Sequence, residues 1–136
     1  MINLPDYKKI HCIGIGGIGL SAIAEILLSR GYEVSGSDMR ESEMTERLIE
    51  QGARIYLGHR AKNVDDVDLV IYSSAIGRDN PELARADERG IPAITRAQAL
   101  GVLMDEYRNS IAVSGTHGKT TTTSMVSLIL KEAQKE

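Results

Sequence analysis

The chain has 136 residues, enough for one well-packed domain and too few for two of full size. Its composition, 42% hydrophobic and 26% charged, excludes the disordered and fibrous classes, and a net charge of -3 without a basic run excludes the electrostatic footprint of a nucleic-acid binder. No window reaches the roughly 18 apolar residues of a membrane-spanning helix. With no apolar leader behind Met1 and one cysteine, Cys12, that has no partner for an internal disulfide, the expected location is cytoplasmic, with neither nucleic acid nor membrane as partner.

In chain order, residues 9–14 (KIHCIG) read as a buried strand and residues 18–30 as a helix, apolar at every third or fourth position and stopped by Gly31. A second strand follows at 32–37 (YEVSGS), a helix at 43–51, a short strand at 54–56, and a strand apolar on both faces at 68–73 (DLVIYS). Beyond the turn Arg78-Asp79-Asn80-Pro81 a helix runs to about Arg89, with Pro81 in its first turn, where the missing amide proton costs little. A short strand at 93–95, a helix at 97–107, a strand at 110–114 (SIAVS) and a last helix at 119–134 complete the pattern. Strands alternating with helices, with aliphatic residues in place of Phe and Trp, predict an α/β fold: a Rossmann-like open parallel sheet covered on both faces. Residues 1–108 are expected to form that domain. Residues 109–136 are expected to open a second one with a strand, a phosphate loop and a helix.

Two glycine loops carry the chemistry. Gly14-Ile15-Gly16-Gly17-Ile18-Gly19 matches GxGxxG between a strand and a helix. Gly14 serves the tight turn, Gly16 lets backbone approach a pyrophosphate, Gly19 lets the helix pack closely on the strand, and the helix start offers unpaired amides to the anion. Ser37 and Asp38 follow the second strand, where an acidic residue meets a ribose hydroxyl in dinucleotide folds. The pattern specifies a diphosphate site and leaves NAD, FAD and UDP-sugars open. The second loop, Ser114-Gly115-Thr116-His117-Gly118-Lys119-Thr120-Thr121, resembles a P-loop, but Val113 stands where the ordinary pattern has its first glycine. It still holds a lysine for the β and γ phosphates and a hydroxyl for Mg²⁺. Of the histidines, His117 lies within this loop, His11 reads as a structural residue within a strand, and His59, at a sheet edge, is a weaker ligand candidate.

GIGGIGLSAIAEIL, then SGSD, SSAIGRDNPEL and SGTHGKTTTTSM, resemble in content and order the Mur ligases, over nearly the whole chain. GTHGKTTTT is the more specific segment, and as a variant of the P-loop it accounts for Val113. The resemblance implies a three-domain, ATP- and Mg²⁺-dependent ligase of peptidoglycan synthesis. It implies an amino-terminal domain for the UDP-sugar, a central ATPase domain and a carboxy-terminal domain that helps bind the amino acid. The nearest branch joins L-alanine to the lactyl carboxylate of UDP-N-acetylmuramate through an acyl phosphate. The alternatives are the branch that attaches an intact tripeptide to the same UDP-sugar and, outside the family, an NAD-binding Rossmann domain.

By the same resemblance, Gly16, Gly17, Ile18 and Gly19 meet the UDP diphosphate, Ser37 and Asp38 lie near the uridine, and Ser74, Ala75 and Ile76 complete the mouth. Gly115, Thr116, His117, Gly118, Lys119, Thr120 and Thr121 wrap ATP, with Lys119 as the catalytic cation and Thr120 on Mg²⁺. The chain alone is expected to bind the UDP-sugar and to be inactive, the L-alanine site lying outside it. Met125, Val126, Leu128, Ile129, Leu130 and Ala133 give the last helix an apolar surface that is expected to pack on the first domain or on a second copy, as a homodimer.

Overall fold

The computed structural model describes the backbone of residues 2–114 and the side chains of residues 2–105. Five strands, β1 (Lys9–Ile13), β2 (Glu33–Asp38), β3 (Arg54–Leu57), β4 (Leu69–Tyr72) and β5 (Ala93–Thr95), form one parallel sheet in the order β3-β2-β1-β4-β5. The chain runs outward from β1 through β2 to β3, then crosses back to place β4 on the other side of β1. Strand order therefore reverses between β1 and β4, the switch point at which open α/β sheets bind ligands beyond the strand carboxyl ends. Ile13 pairs with Tyr72 there, so the segments that leave these two strands start side by side.

Among the described residues four helices cover the sheet: α1 (Ile18–Ser29), α2 (Glu43–Glu50), α3 (Pro81–Glu88) and α4 (Arg96–Ser114). The period-two alternation of strand side chains divides the interior. Ile10 and Cys12 of β1 and Leu69 and Ile71 of β4 join Leu20, Ile23 and Leu27 of α1, Leu48 of α2 and Leu100 and Leu103 of α4 in the larger core. Ile13 and Val70 point the other way, into a smaller cluster with Val64 and Ala86. Each fully buried Leu or Ile contributes about 1.5–3 kcal/mol, so the α1 face holds most of the hydrophobic stabilisation. The second face is finished by polar groups instead.

The expected α/β architecture is observed, with element ends shifted by a residue or two. Two short 3-10 turns, Leu4–Asp6 and Ala61–Val64, are additions. Residues 110–114 correct the sequence reading, because they continue α4 instead of forming a strand. A strand is satisfied only by a neighbour, and among the described residues β5 pairs with β4 alone, whereas a helix satisfies its backbone locally. The second glycine loop, residues 115–121, and the apolar helix expected at 119–134 lie outside the described residues.

Cys12 sits in the larger core with no solvent contact, and burial pushes its thiol up to about 12. The thiolate is the reactive form. Native protein near neutral pH is expected to resist Ellman's reagent, and labelling in urea should follow the unfolding curve; rapid labelling of folded protein would contradict this packing.

Candidate functional site

Gly14 leaves β1 with φ +85°, a conformation that L side chains rarely adopt, and so turns the chain sharply toward α1. Both its amide and that of Ile15 donate to the Ser37 carbonyl, at 2.8 and 3.0 Å, which ties the loop to the end of β2. Gly17 N–H donates to the Gly14 carbonyl at 3.1 Å, closing the turn. Gly16 N–H donates to Asp38 Oδ2 at 2.8 Å, and a Cβ on Gly16 would itself lie 2.8 Å from that oxygen. Across the switch point Ser73 and Ile76 close in on Gly14, whose added Cβ would lie 3.1 Å from Ser73 Oγ and 3.6 Å from Ile76 Cδ1.

The helix starts differ in their capping. Ser42 and Thr45 exchange capping bonds at the start of α2, Asn80 accepts from Glu82 N–H and Leu83 N–H at α3, and Thr95 and Gln98 exchange bonds at α4. At α1 the capping position is Gly17, which has no side chain to offer. The first bond within α1 runs from Ser21 N–H to the Gly17 carbonyl, so Ile18, Gly19 and Leu20 present amides with no acceptor inside the helix. Ile18, on this first turn, is 64% exposed. Uncapped amides at the positive end of a helix dipole, behind a glycine turn, are an arrangement suited to an anion.

Gly19 has a different reason from the one the pattern suggests. A Cβ there would strike the Arg96 side chain, with Cζ at 2.9 Å and Cδ at 3.0 Å, and would meet no strand atom nearer than these. Arg96, the first residue of α4, is 3% exposed and lays its guanidinium across the first turn of α1. The glycine thus makes room for a buried cation beside the uncapped helix start.

Behind the mouth lies a buried carboxylate that the sequence reading passed over. Glu82, in the first turn of α3, has no solvent exposure. Its Oε1 accepts from His11 Nε2 at 2.5 Å and from Ser37 Oγ at 2.7 Å. Its Oε2 accepts from Arg60 N–H and Asn63 Nδ2, both at 3.0 Å, and lies 3.5 Å from His59 Nδ1. Burial alone would raise the carboxyl's pKa, but His11, then Ser37 and Asn63, outweigh it and hold the group below its ordinary value. His11 Nδ1 meets Ser35 Oγ at 2.8 Å, and His59 Nδ1 meets Ser37 Oγ at 2.8 Å.

Of the residues expected at the site, Gly16, Gly17, Ile18 and Gly19 form the turn and the helix start. Asp38 reaches the loop, whereas the Ser37 side chain is buried in the Glu82 network and acts on the loop through its carbonyl. Ser74 and Ala75 are exposed on the turn after β4, and Ile76 folds back toward Gly14. His11 is structural, as expected. The signal that could have revealed Glu82 was weak: a histidine, His11, among the aliphatic residues of β1 and two serines, Ser35 and Ser37, on β2 require a buried polar partner. A groove of about 710 Å³ lined by Lys9, Tyr32, Glu33, Arg54 and Lys62 lies at the amino ends of the strands, the wrong end for the glycine loop. Among the described residues no group of three or more His, Cys, Asp or Glu is placed to hold a metal, and no helix is long and apolar enough to cross a membrane.

Strand order, turn and uncapped helix define a Rossmann-like α/β domain. Residues 9–108 match the model of the Mur ligase family, catalytic domain, and the chain belongs to the Mur ligase family. It is similar to the UDP-N-acetylmuramate--L-alanine ligase of Alkaliphilus metalliredigens, 56% identical over 131 residues that are 95% of this chain and 28% of that one. Among solved structures it resembles the UDP-N-acetylmuramate-alanine ligase of Thermotoga maritima, 40% identical with a TM-score of 0.71, over 74% of this chain and 23% of that one. The UDP-N-acetylmuramate:L-alanyl-gamma-D-glutamyl-meso-diaminopimelate ligase of Neisseria meningitides is less similar, 31% identical with a TM-score of 0.63, over 68% of this chain and 30% of that one. The chain thus spans under a third of the length of each of these relatives.

Glu82→Gln replaces one acceptor of the buried carboxylate with a donor that faces other donors, and should cost about 2–4 kcal/mol of stability near neutral pH. Because the folded-state pKa is lowered, the ionised carboxylate stabilises the fold above the ordinary carboxylate range, and this contribution is lost as pH falls through the folded value. Urea unfolding at a series of pH values should show the gap between wild type and variant shrinking on acidification; a constant gap would exclude an ionised Glu82 in the folded state.

Proposed function

We propose that residues 1–108 are the UDP-sugar-binding domain of a ligase that joins L-alanine to the lactyl carboxylate of UDP-N-acetylmuramate, with release of ADP and phosphate. The observation that carries this reading is the uncapped start of α1 behind the Gly14–Gly19 turn, at the switch point of a sheet similar to that of L-alanine ligases. The amides of Ile18, Gly19 and Leu20 take the diphosphate, and Gly16 lets it approach. Asp38 and the Ser73–Ile76 turn flank the nucleotide, on the β2 and β4 sides respectively.

Residues 109–136 open the ATP-binding part in this proposal. Gly115, Thr116, His117, Gly118 and Thr121 surround the nucleotide phosphates, Lys119 offsets charge on the γ phosphate, and Thr120 ligates Mg²⁺. The residue types suit these roles, since a lysine ammonium and backbone amides bind phosphate oxygens and a hydroxyl binds a hard cation. What bound ATP and Mg²⁺ supply is activation of a carboxylate that is otherwise a poor electrophile. A cytoplasmic location belongs to the same proposal, since both the nucleotide and the UDP-sugar are cytoplasmic metabolites.

Isothermal titration of the chain with UDP-N-acetylmuramate and with NAD tests the reading, repeated after Gly16→Val. The UDP-sugar should bind and NAD should not. Valine at position 16 pushes the Asp38 carboxylate from the loop and fills the space of the phosphates, so affinity should fall by about tenfold or more. A preference for NAD, or unchanged binding by the valine variant, would overturn the assignment.

A further inference from the structure

Glu82 cannot meet a ligand, since it has no solvent exposure, yet two hydrogen-bonded routes lead from its carboxylate to the glycine loop. The first passes through Ser37, which is also fully buried. Its hydroxyl donates to Oε1 at 2.7 Å, and its carbonyl accepts from the Gly14 and Ile15 amides. The second passes through the turn after β3. There Oε2 accepts from Arg60 N–H at 3.0 Å, and two residues earlier Gly58 N–H donates to the Asp38 carbonyl at 2.7 Å. Asp38 then holds the Gly16 amide through Oδ2 at 2.8 Å. Three successive amides of the loop, those of Gly14, Ile15 and Gly16, are thus tied to residues that the buried carboxylate holds.

The loop needs such ties because it lies past the end of the sheet. The pairing of β1 with β2 stops at Ile13 and Ser37, so ladder bonds no longer fix the chain from Gly14 onward. Of Gly14, Ile15, Gly16 and Gly17 only Ile15 carries a side chain. Its burial in the larger core sets how deep the loop sits without fixing the direction of the amides. Direction comes from hydrogen bonds, which weaken steeply with angle. An anion held by backbone amides is bound best when those amides already point at it, because ordering them on binding lowers affinity.

We propose that Glu82 is a positioning residue for the diphosphate loop: through Ser37 and the turn after β3, a carboxylate that no ligand touches sets the affinity at the start of α1. This rests on the diphosphate reading of the Gly14–Gly19 turn. The same carboxylate has a donor that leads elsewhere. Asn63 Nδ2 donates to Oε2 at 3.0 Å from the 3-10 turn Ala61–Val64, and Asn63 makes no bond to the loop among the described residues. Loss of the Asn63 amide and loss of the Ser37 hydroxyl each strip one donor from one buried anion, but only the second cuts a route to the loop. A purely structural role gives the two losses parallel effects, whereas a positioning role separates them.

The test uses the 136-residue chain near neutral pH, as wild type, Ser37→Ala and Asn63→Ala. Urea unfolding shows that each variant folds, and both should be less stable than wild type. Ser37→Ala keeps the backbone carbonyl and alters no group that a ligand can reach, yet should bind UDP-N-acetylmuramate about three- to tenfold more weakly; Asn63→Ala should bind as wild type does. Without ligand, hydrogen exchange of the Gly14 and Ile15 amides is taken relative to that of Val70, whose amide donates to the Pro92 carbonyl. That ratio should rise by a similar factor in Ser37→Ala alone, as a local opening of the loop. Ser37→Cys, a weaker donor of similar shape, carries the same comparison should the alanine variant fail to fold. Equal changes in both variants, or none in either, would overturn the positioning role and leave Glu82 a structural anion. Absence of binding by wild type would instead sink the UDP-sugar reading, and the exchange rates would still decide whether Glu82 holds the loop.

Discussion

A carboxylate withdrawn from water loses several kcal/mol of solvation, which only a full set of donors offsets, and that requirement organises one whole face of this domain. Glu82 takes its donors from β1 (His11), β2 (Ser37), the turn after β3 (Arg60) and the 3-10 turn that follows (Asn63), while itself belonging to α3. Five separate parts of the chain thus meet at one anion. Ser37 extends the constraint, since its hydroxyl serves Glu82 and its carbonyl holds the Gly14 and Ile15 amides. The uncapped helix start is positioned by an anion already present inside the protein.

The two faces of the sheet are stabilised by interactions of different character. On the α1 face, Ile10, Cys12, Leu27, Leu48 and Leu103 pack by shape and volume, and similar volumes would serve nearly as well. Among the described residues the apolar cluster on the α3 face has four buried members, and directional bonds to Glu82 add to it. Hydrogen bonds in a low-dielectric interior are strict about geometry, so this face holds the loop and the His59 turn in one arrangement. A binding site benefits more from that strictness than from added hydrophobic area, because a ligand bound through backbone amides needs them fixed in advance.

What was legible in the sequence follows the range of the interaction. The helix at Ile18–Ser29 and the strand at Leu69–Tyr72 announce themselves by local periodicity, and the glycine turn by its spacing, so the fold class and the position of that turn could be read directly. Glu82 could not be read in the same way. A glutamate in the first turn of a helix is unremarkable, as it complements the helix dipole, and its partner His11 is 71 residues away. Gly19 misled in the opposite sense: its position in the pattern was right, but the space it provides is filled by Arg96, from the far edge of the sheet. Residues 110–114 have strand composition, yet composition cannot supply a pairing partner, and they continue α4.

Backbone amides at a helix start recognise charge and little else, which is why a glycine turn of this kind serves dinucleotides and UDP-sugars alike. Identity has to be read by side chains that flank the phosphates, and in this topology those come from the ends of β2, β3 and β4. The domain equips each of these ends differently. Asp38 on β2 turns inward to the loop, the turn after β3 presents an imidazole braced from behind, and the segment after β4 folds Ile76 back toward Gly14. An acidic β2 end left free would suit the adjacent diol of a nicotinamide dinucleotide. Committing that acid to the Gly16 amide occupies the acceptor that dinucleotide folds keep at the end of β2, and leaves the β3 and β4 turns as the remaining side-chain positions around the glycine loop.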